Sequence, residues 1–186
     1  MLQRPLQFNK EVLKQYIQPG DTVIDATAGN GHDTVFLAQL VGKTGHVVSF
    51  DIQRQAIEET QKKLLLTGLL PRVTLHQTGH ENIEKTLGKI TIQAAVFNLG
   101  YLPKGDKKIV TVPETTIAAI KQCLNLCQPG SVVSLMVYFG HDGGPEEKAQ
   151  VLKFVRELPQ QQFTVYQYQI INQINTPPFL LIIEKK

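Results

Sequence analysis

Residues 22–33 read Thr22-Val-Ile-Asp25-Ala-Thr-Ala-Gly29-Asn30-Gly31-His32-Asp33, an apolar strand running into a glycine-bearing turn and then a helix. Glycines at such a turn let the backbone come close to a ligand where a strand hands over to a helix. Outward from this turn the chain keeps alternating. Upstream, the apolar period predicts a helix over Asn9–Ile17 and a strand over Thr22–Ala26. Downstream it predicts a helix over His32–Val41, a strand over His46–Phe50, a helix over Arg54–Leu66 and a strand over Arg72–His76. A short helix over Glu81–Leu87 and a strand over Gln93–Asn98 follow. A helix over Pro113–Cys127 is expected to open with a capping box, Thr111-x-x-Glu114, and a proline in its first turn. Then come a strand over Ser131–Tyr138, a helix over Pro145–Leu158, and two strands over Phe163–Ile170 and Phe179–Ile183, joined by the Asn/Pro-rich turn Asn172–Pro178.

Strands separated by helices imply right-handed crossovers and a parallel sheet covered on both faces. The last two strands have a turn and no helix between them, so they run antiparallel and close the sheet as a hairpin. The expected fold is α/β and Rossmann-like: a mostly parallel seven-stranded sheet with one antiparallel strand and helices on both faces, in a single domain over residues 1–186.

The 186 residues, 42% of them hydrophobic, suffice for one buried core. No apolar run reaches the roughly 18 residues of a membrane span, and the start Met1-Leu-Gln-Arg-Pro5 lacks a signal-peptide core, so a cytoplasmic protein without membrane association is expected. Cys123 and Cys127 stand four apart in a helical pattern without a second Cys or His pair, which reads as core thiols and no metal site. A net charge of +3 permits a polyanionic partner without requiring one.

The turn is flanked by a second signal. Asp51 closes the next strand, where a carboxylate can take both ribose hydroxyls of an adenosine. Asp25, at the end of the first strand, would repel a pyrophosphate but suit the ammonium and sulfonium of S-adenosylmethionine; as an alternative it caps the turn. No Gly-Lys-Ser/Thr motif indicates a P-loop. The strand end Val96-Phe97-Asn98-Leu99-Gly100-Tyr101-Leu102-Pro103 offers an amide, Asn98, to accept a hydrogen bond from an amine and aim its lone pair, and an aromatic, Tyr101, to wall or stack on an acceptor.

These segments resemble known motifs. Asp25-Ala-Thr-Ala-Gly29-Asn30-Gly31 is similar to the first motif of class I methyltransferases, with Thr27 in the place of its first glycine, and Asp51 resembles their second acidic position. Their cofactor, S-adenosylmethionine, would on that resemblance meet Asp25, Thr27, Gly29, Asn30, Gly31, His32, Asp33, Asp51, Gln53 and Asn98. Gly79, His80 and Glu81 stand where such enzymes frame the adenine and ribose, although His80 also reads as a loop or cap residue. Asn98-Leu-Gly-Tyr101 is in register with the Asn-Pro-Pro-Tyr motif of amino-group methyltransferases. Leu99 and Gly100 replace both prolines, which leaves room for an amine on a flexible arm.

Asn98–Pro103 with Asp106, Val137-Tyr-Phe-Gly-His141 and Asn172–Pro178 together resemble the MnmM (YtqB-like) family, formerly labelled rRNA methylases. That resemblance implies methylation of the aminomethyl group on the wobble uridine of tRNA, giving 5-methylaminomethyl-(2-thio)uridine, and hence contact with the anticodon region. Asn98 and Tyr101 are then the catalytic candidates, with Tyr138 and His141 as further candidates for shaping the pocket or helping the amine lose its proton. Lys104, Lys107 and Lys108 could hold phosphates or be solvated, and a homodimer is expected. The rival readings are methylation of rRNA or of a small-molecule amine, a non-catalytic RNA-binding protein of the same fold, and an NAD-dependent enzyme.

Overall fold

Alternation along the central strands decides the layering. Val23, Val47, Ala94 and Val96 are buried with Leu13, Ile17, Leu37 and Leu64 on one face. Their sequence neighbours Ile24, Val48, Ala95 and Phe97 are buried with Ile83, Ile120, Val151 and Val155 on the other. Side chains two residues apart share a face, so strands apolar at every position need cover on both sides. The computed structural model describes residues 2–103, 105 and 109–186. Within them α1 (Pro5–Tyr16), α2 (His32–Leu40) and α3 (Arg54–Leu66) supply the first cover, and α4 (Ile83–Leu87), α5 (Pro113–Leu126) and α6 (Gly144–Arg156) the second.

The sheet has seven strands: β1 (Thr22–Asp25), β2 (His46–Asp51), β3 (Val73–Gln77), β4 (Ile92–Leu99), β5 (Cys127–Val137), β6 (Phe163–Tyr168) and β7 (Phe179–Lys185). Their order is β3-β2-β1-β4-β5-β7-β6. Strands β1 to β5 pair in parallel, whereas β7 runs antiparallel to both β5 and β6. The chain winds outward from β1 to β3, then returns to place β4 against the other edge of β1. Ligands in open α/β sheets collect outside the strand carboxyl ends at such a reversal.

Two element starts lie four residues earlier than expected and one expected cap is absent, each for a local reason. Helix α1 starts at Pro5 rather than Asn9, since proline at a first helical position presets φ and loses no needed donor. The extra turn carries Leu6 to the ligand side. Strand β5 reaches back to Cys127, opposite Ile92, across an irregularity in the β4 pairing. The expected capping box does not form: Val112 is the N-cap of α5 and no side chain caps it, because the Thr111 hydroxyl donates to Glu147 instead. Both cysteines are buried free thiols, and among the described residues no group of His, Cys, Asp or Glu could hold a metal. No described helix is long and apolar enough to cross a membrane.

Gly31, with φ 76°, caps α2 in the left-handed region, and a Cβ there would lie 2.9 Å from Thr60 Cα in α3. It therefore sets how closely α2 approaches α3. Gly31→Ala should cost about 3 kcal/mol, strain plus backbone clash. Gly130→Ala, at φ 84° with nothing within 4 Å, should cost only about 1 kcal/mol. Urea unfolding of the two variants checks this, and equal losses would remove the packing role of Gly31.

Candidate functional site

At the β1/β4 reversal lies a cavity of about 920 Å³, a size suited to a nucleoside-type ligand. Its wall is built from the turn after β1, the ends of β2 and β4, residues 79–81, 109–112 and 138–141, Thr176, and Leu6 and Lys10 of α1.

The turn after β1 is held from behind. Asp25 is fully buried; one carboxyl oxygen accepts the Thr27 N–H at 3.2 Å and the other the Thr34 hydroxyl at 2.6 Å. Thr34 Oγ1 also lies 3.1 Å from Ser49 Oγ on β2. Burial, then the charge of Asp33, pushes the Asp25 carboxyl up to about 7, against the hydrogen bonds of Thr34 and Thr27. Neither Asp25 nor Gly31 is on the cavity wall: Asp25 braces the turn and Gly31 packs on Thr60. Sealed under the turn, Asp25 is placed to brace backbone rather than to meet a ligand.

Thr27, Gly29, Asn30, His32 and Asp33 do reach the wall. The Gly29 N–H donates to Asp51 Oδ2 at 2.9 Å and the Gln53 N–H to Asp51 Oδ1 at 2.9 Å, so Asp51 ties the β1 turn to the end of β2 while facing the cavity. Burial raises its carboxyl from the ordinary value, opposed by these amides. Lys63 donates to the Asn30 carbonyl at 2.6 Å and lies 3.0 Å from His32 Nε2, securing the start of α2. Gln53, Gly79, His80 and Glu81 line the same end. His80 is buried, with Nδ1 3.2 Å from the Ala26 carbonyl and its ring 5.8 Å from that of Phe97. A carbonyl only accepts, so Nδ1 carries the proton. Burial depresses the imidazole, which stays neutral.

Asn98 joins the two halves of the site. Its backbone N–H donates to Thr27 Oγ1 at 2.7 Å and its Nδ2 to Asp33 Oδ2 at 2.7 Å. Threonine in place of the usual glycine is thereby explained: its hydroxyl ties β1 to β4. With the amide nitrogen turned to a carboxylate, Oδ1 is the end left to accept a hydrogen bond.

Beyond Asn98, Gly100 exchanges bonds with Thr111, its N–H donating to Oγ1 at 2.8 Å and its carbonyl accepting the Thr111 N–H at 2.8 Å. Thr111 Oγ1 and Thr116 Oγ1 each donate to Glu147 at 2.7 Å. Glu147 is buried and was missed in the sequence. Its signal was its place four residues before Val151 and eight before Val155 on the buried stripe of α6.

Tyr101 is 42% exposed and edge-on to His141 at 5.9 Å, and Tyr138 is 37% exposed, so aromatic surface borders the cavity. His141 directs Nδ1 at the Asp142 carbonyl and Nε2 at the Tyr138 carbonyl. Both ring nitrogens are thus turned to backbone carbonyls. Burial, then Asp33, raises the Tyr138 phenol, which stays protonated at neutral pH. Lys104, Asp106, Lys107 and Lys108 lie outside the described residues.

Among the described wall residues, Asp33, Asp51 and Glu81 face one ammonium, Lys10. This charge balance, rather than Asp25, favours a ligand with cationic centres over a diphosphate. S-adenosylmethionine fits: Asp51 can take its ribose, His80 and Glu81 line that end, and Asp33 could meet its positive charge.

The family described as "Putative rRNA methylase" matches residues 47–184. Over its whole length the chain is 45% identical to a protein of that description from Clostridium thermocellum, with full coverage of both chains and a TM-score of 0.98. It is also 45% identical, with full coverage of both and a TM-score of 0.92, to a methyltransferase of Streptococcus mutans solved in complex with SAH. A chloroplastic tRNA (mnm(5)s(2)U34)-methyltransferase of Arabidopsis thaliana is 36% identical over 94% of this chain and 67% of its own length.

Two outcomes follow from this geometry. Asp51→Ala should weaken S-adenosylhomocysteine binding by about 1.5–3 kcal/mol, read by calorimetry, and unchanged affinity in the folded variant would misplace the ribose. Asp25, with its carboxyl raised from 3.8 to about 7, stabilises the fold fully below the lower value and loses that contribution as pH rises through the higher. The unfolding free energy of wild type relative to Asp25→Asn should therefore fall by about 2 kcal/mol between about pH 5 and pH 8. A gap independent of pH would contradict the burial-raised carboxyl.

Proposed function

The chain belongs to the family described as "Putative rRNA methylase" and is an S-adenosylmethionine-dependent methyltransferase, and on that footing we propose that it methylates the aminomethyl group on the wobble uridine of tRNA, yielding 5-methylaminomethyl-(2-thio)uridine. One observation of the structure carries the amine reading: Asn98 is fixed by its Nδ2 on Asp33, so that Oδ1 remains to accept an N–H from the substrate. The Arabidopsis relative, a tRNA (mnm(5)s(2)U34)-methyltransferase, supports the choice of RNA.

The cofactor, when bound, supplies an electrophilic methyl group. The chain's own residues prepare the nucleophile. An alkylamine is mostly protonated at neutral pH and attacks only as the free base. Burial keeps the Tyr138 phenol protonated and His141 turns both ring nitrogens to backbone carbonyls; the share assigned here to the protein is to bind and orient the neutral amine. Asn98 Oδ1 receives one N–H and turns the lone pair away from itself. Leu99 and Gly100, where related motifs have prolines, leave the strand end able to bond Thr111. Tyr101 and Tyr138 offer ring surface against which a pyrimidine can rest.

Methyl transfer from labelled cofactor to RNA of a strain lacking the gene tests the choice of substrate. Label is expected in the tRNA fraction; label confined to rRNA would favour the activity in the family's description instead. Asn98→Ala should bind cofactor nearly as wild type, while single-turnover transfer at saturating cofactor and RNA falls by about 10². A rate within about threefold of wild type would reject the orienting role.

A further inference from the structure

Lys10 reaches the cavity wall from α1, an element outside every motif that marks the site. Its ammonium lies 5.2 Å from the centroid of Phe36, and Phe36 is three residues along α2 from Asp33, on the adjoining turn of the same helix face. Helix α1 packs on β4, β5 and β7, whereas Asp51 ends β2 on the far side of β1. Lys10 thus stands toward the end of the cavity where Asp33 and Asn98 meet, opposite the end assigned to the ribose.

The backbone that carries it is held in place. The neighbouring Asn9 is buried and its Oδ1 accepts the Ser134 hydroxyl at 2.6 Å. Phe8 stacks on Tyr168 at 4.4 Å, and Leu13 is in the core. Among the described residues Lys10 makes no ion pair or hydrogen bond. An ammonium resting by a ring keeps three N–H donors for another partner.

The amino-acid part of S-adenosylmethionine presents that partner. It carries an ammonium and a carboxylate on one carbon, and a carboxylate near Asp33 is repelled unless a cation stands with it. We propose that Lys10 binds the α-carboxylate of the cofactor's amino-acid moiety. This rests on the cofactor reading above and adds the anionic contact that the acidic wall lacks. The residues then divide the ligand by charge, with Asp33 toward the cationic centres, Lys10 on the carboxylate and Asp51 on the ribose.

Calorimetry on the full chain with two ligands separates this role from a packing role. S-adenosylhomocysteine carries the carboxylate; 5′-methylthioadenosine keeps the adenosine and sulfur and lacks the amino acid. Lys10→Met should weaken S-adenosylhomocysteine about 10- to 30-fold while leaving 5′-methylthioadenosine within about twofold. Lys10→Arg should retain most of the wild-type affinity for both. Unchanged S-adenosylhomocysteine affinity in a folded Lys10→Met, including the case in which only RNA affinity drops, would overturn the assignment. So would an equal loss for both ligands, which would make Lys10 a support of α1. Wild-type protein that binds neither ligand would overturn the cofactor reading itself and this inference with it.

Discussion

The hydrogen bond from the Asn98 N–H to Thr27 Oγ1, 2.7 Å long, crosses the seam between β1 and β4, and the site is organised around it. Parallel pairing alone brings Asp25 opposite Val96; beyond that point β1 turns into its loop while β4 runs on to Leu99 against β5, and a crevice opens. Thr27 bridges the crevice at its root. Asp33 then reaches from the first turn of α2 to the Asn98 amide, so the turn that approaches a cofactor and the strand end that meets an acceptor are parts of one rigid unit. A methyl transfer needs donor and acceptor held in alignment, and in the proposed reaction the two hydrogen bonds to Asn98 would supply it.

Behind that unit stand two buried carboxyls, each satisfied by two hydrogen bonds. Asp25 is served by Thr34 and the Thr27 amide, and Glu147 by Thr111 and Thr116. Burying such groups costs several kcal/mol unless they are hydrogen-bonded, and both sit directly behind segments that face the ligand. Their place is to hold loop backbone where no regular pairing does so. The charge that a ligand meets is on other residues, Asp33, Asp51 and Glu81.

The sheet, its hairpin end and the position of the cofactor turn were legible because they depend on apolar period and turn chemistry, which are local. The reversed strand β7 followed from the absence of a helix between 168 and 179. The division between wall and support was not legible. Asp25 and Gly31 look like contact residues in the linear motif, yet one is sealed under the turn and the other pressed on Thr60; only the packing of α2 against α3 decides this. Thr111 and Glu114 have capping-box spacing, but a buried acid 36 residues from Thr111 takes its hydroxyl. Lys10 carried no signal, because its relevance comes from where α1 lands on the sheet.

The central claim is that the acceptor is an alkylamine on a wobble uridine. Nucleoside mass spectrometry of tRNA bearing 5-aminomethyl-2-thiouridine, before and after incubation with the protein and S-adenosylmethionine, addresses it most directly. The account predicts that the aminomethyl nucleoside disappears and that one heavier by a single methylene, retaining its sulfur, takes its place. Persistence of the aminomethyl nucleoside alongside a methylated base elsewhere in the tRNA, or in rRNA, would contradict it.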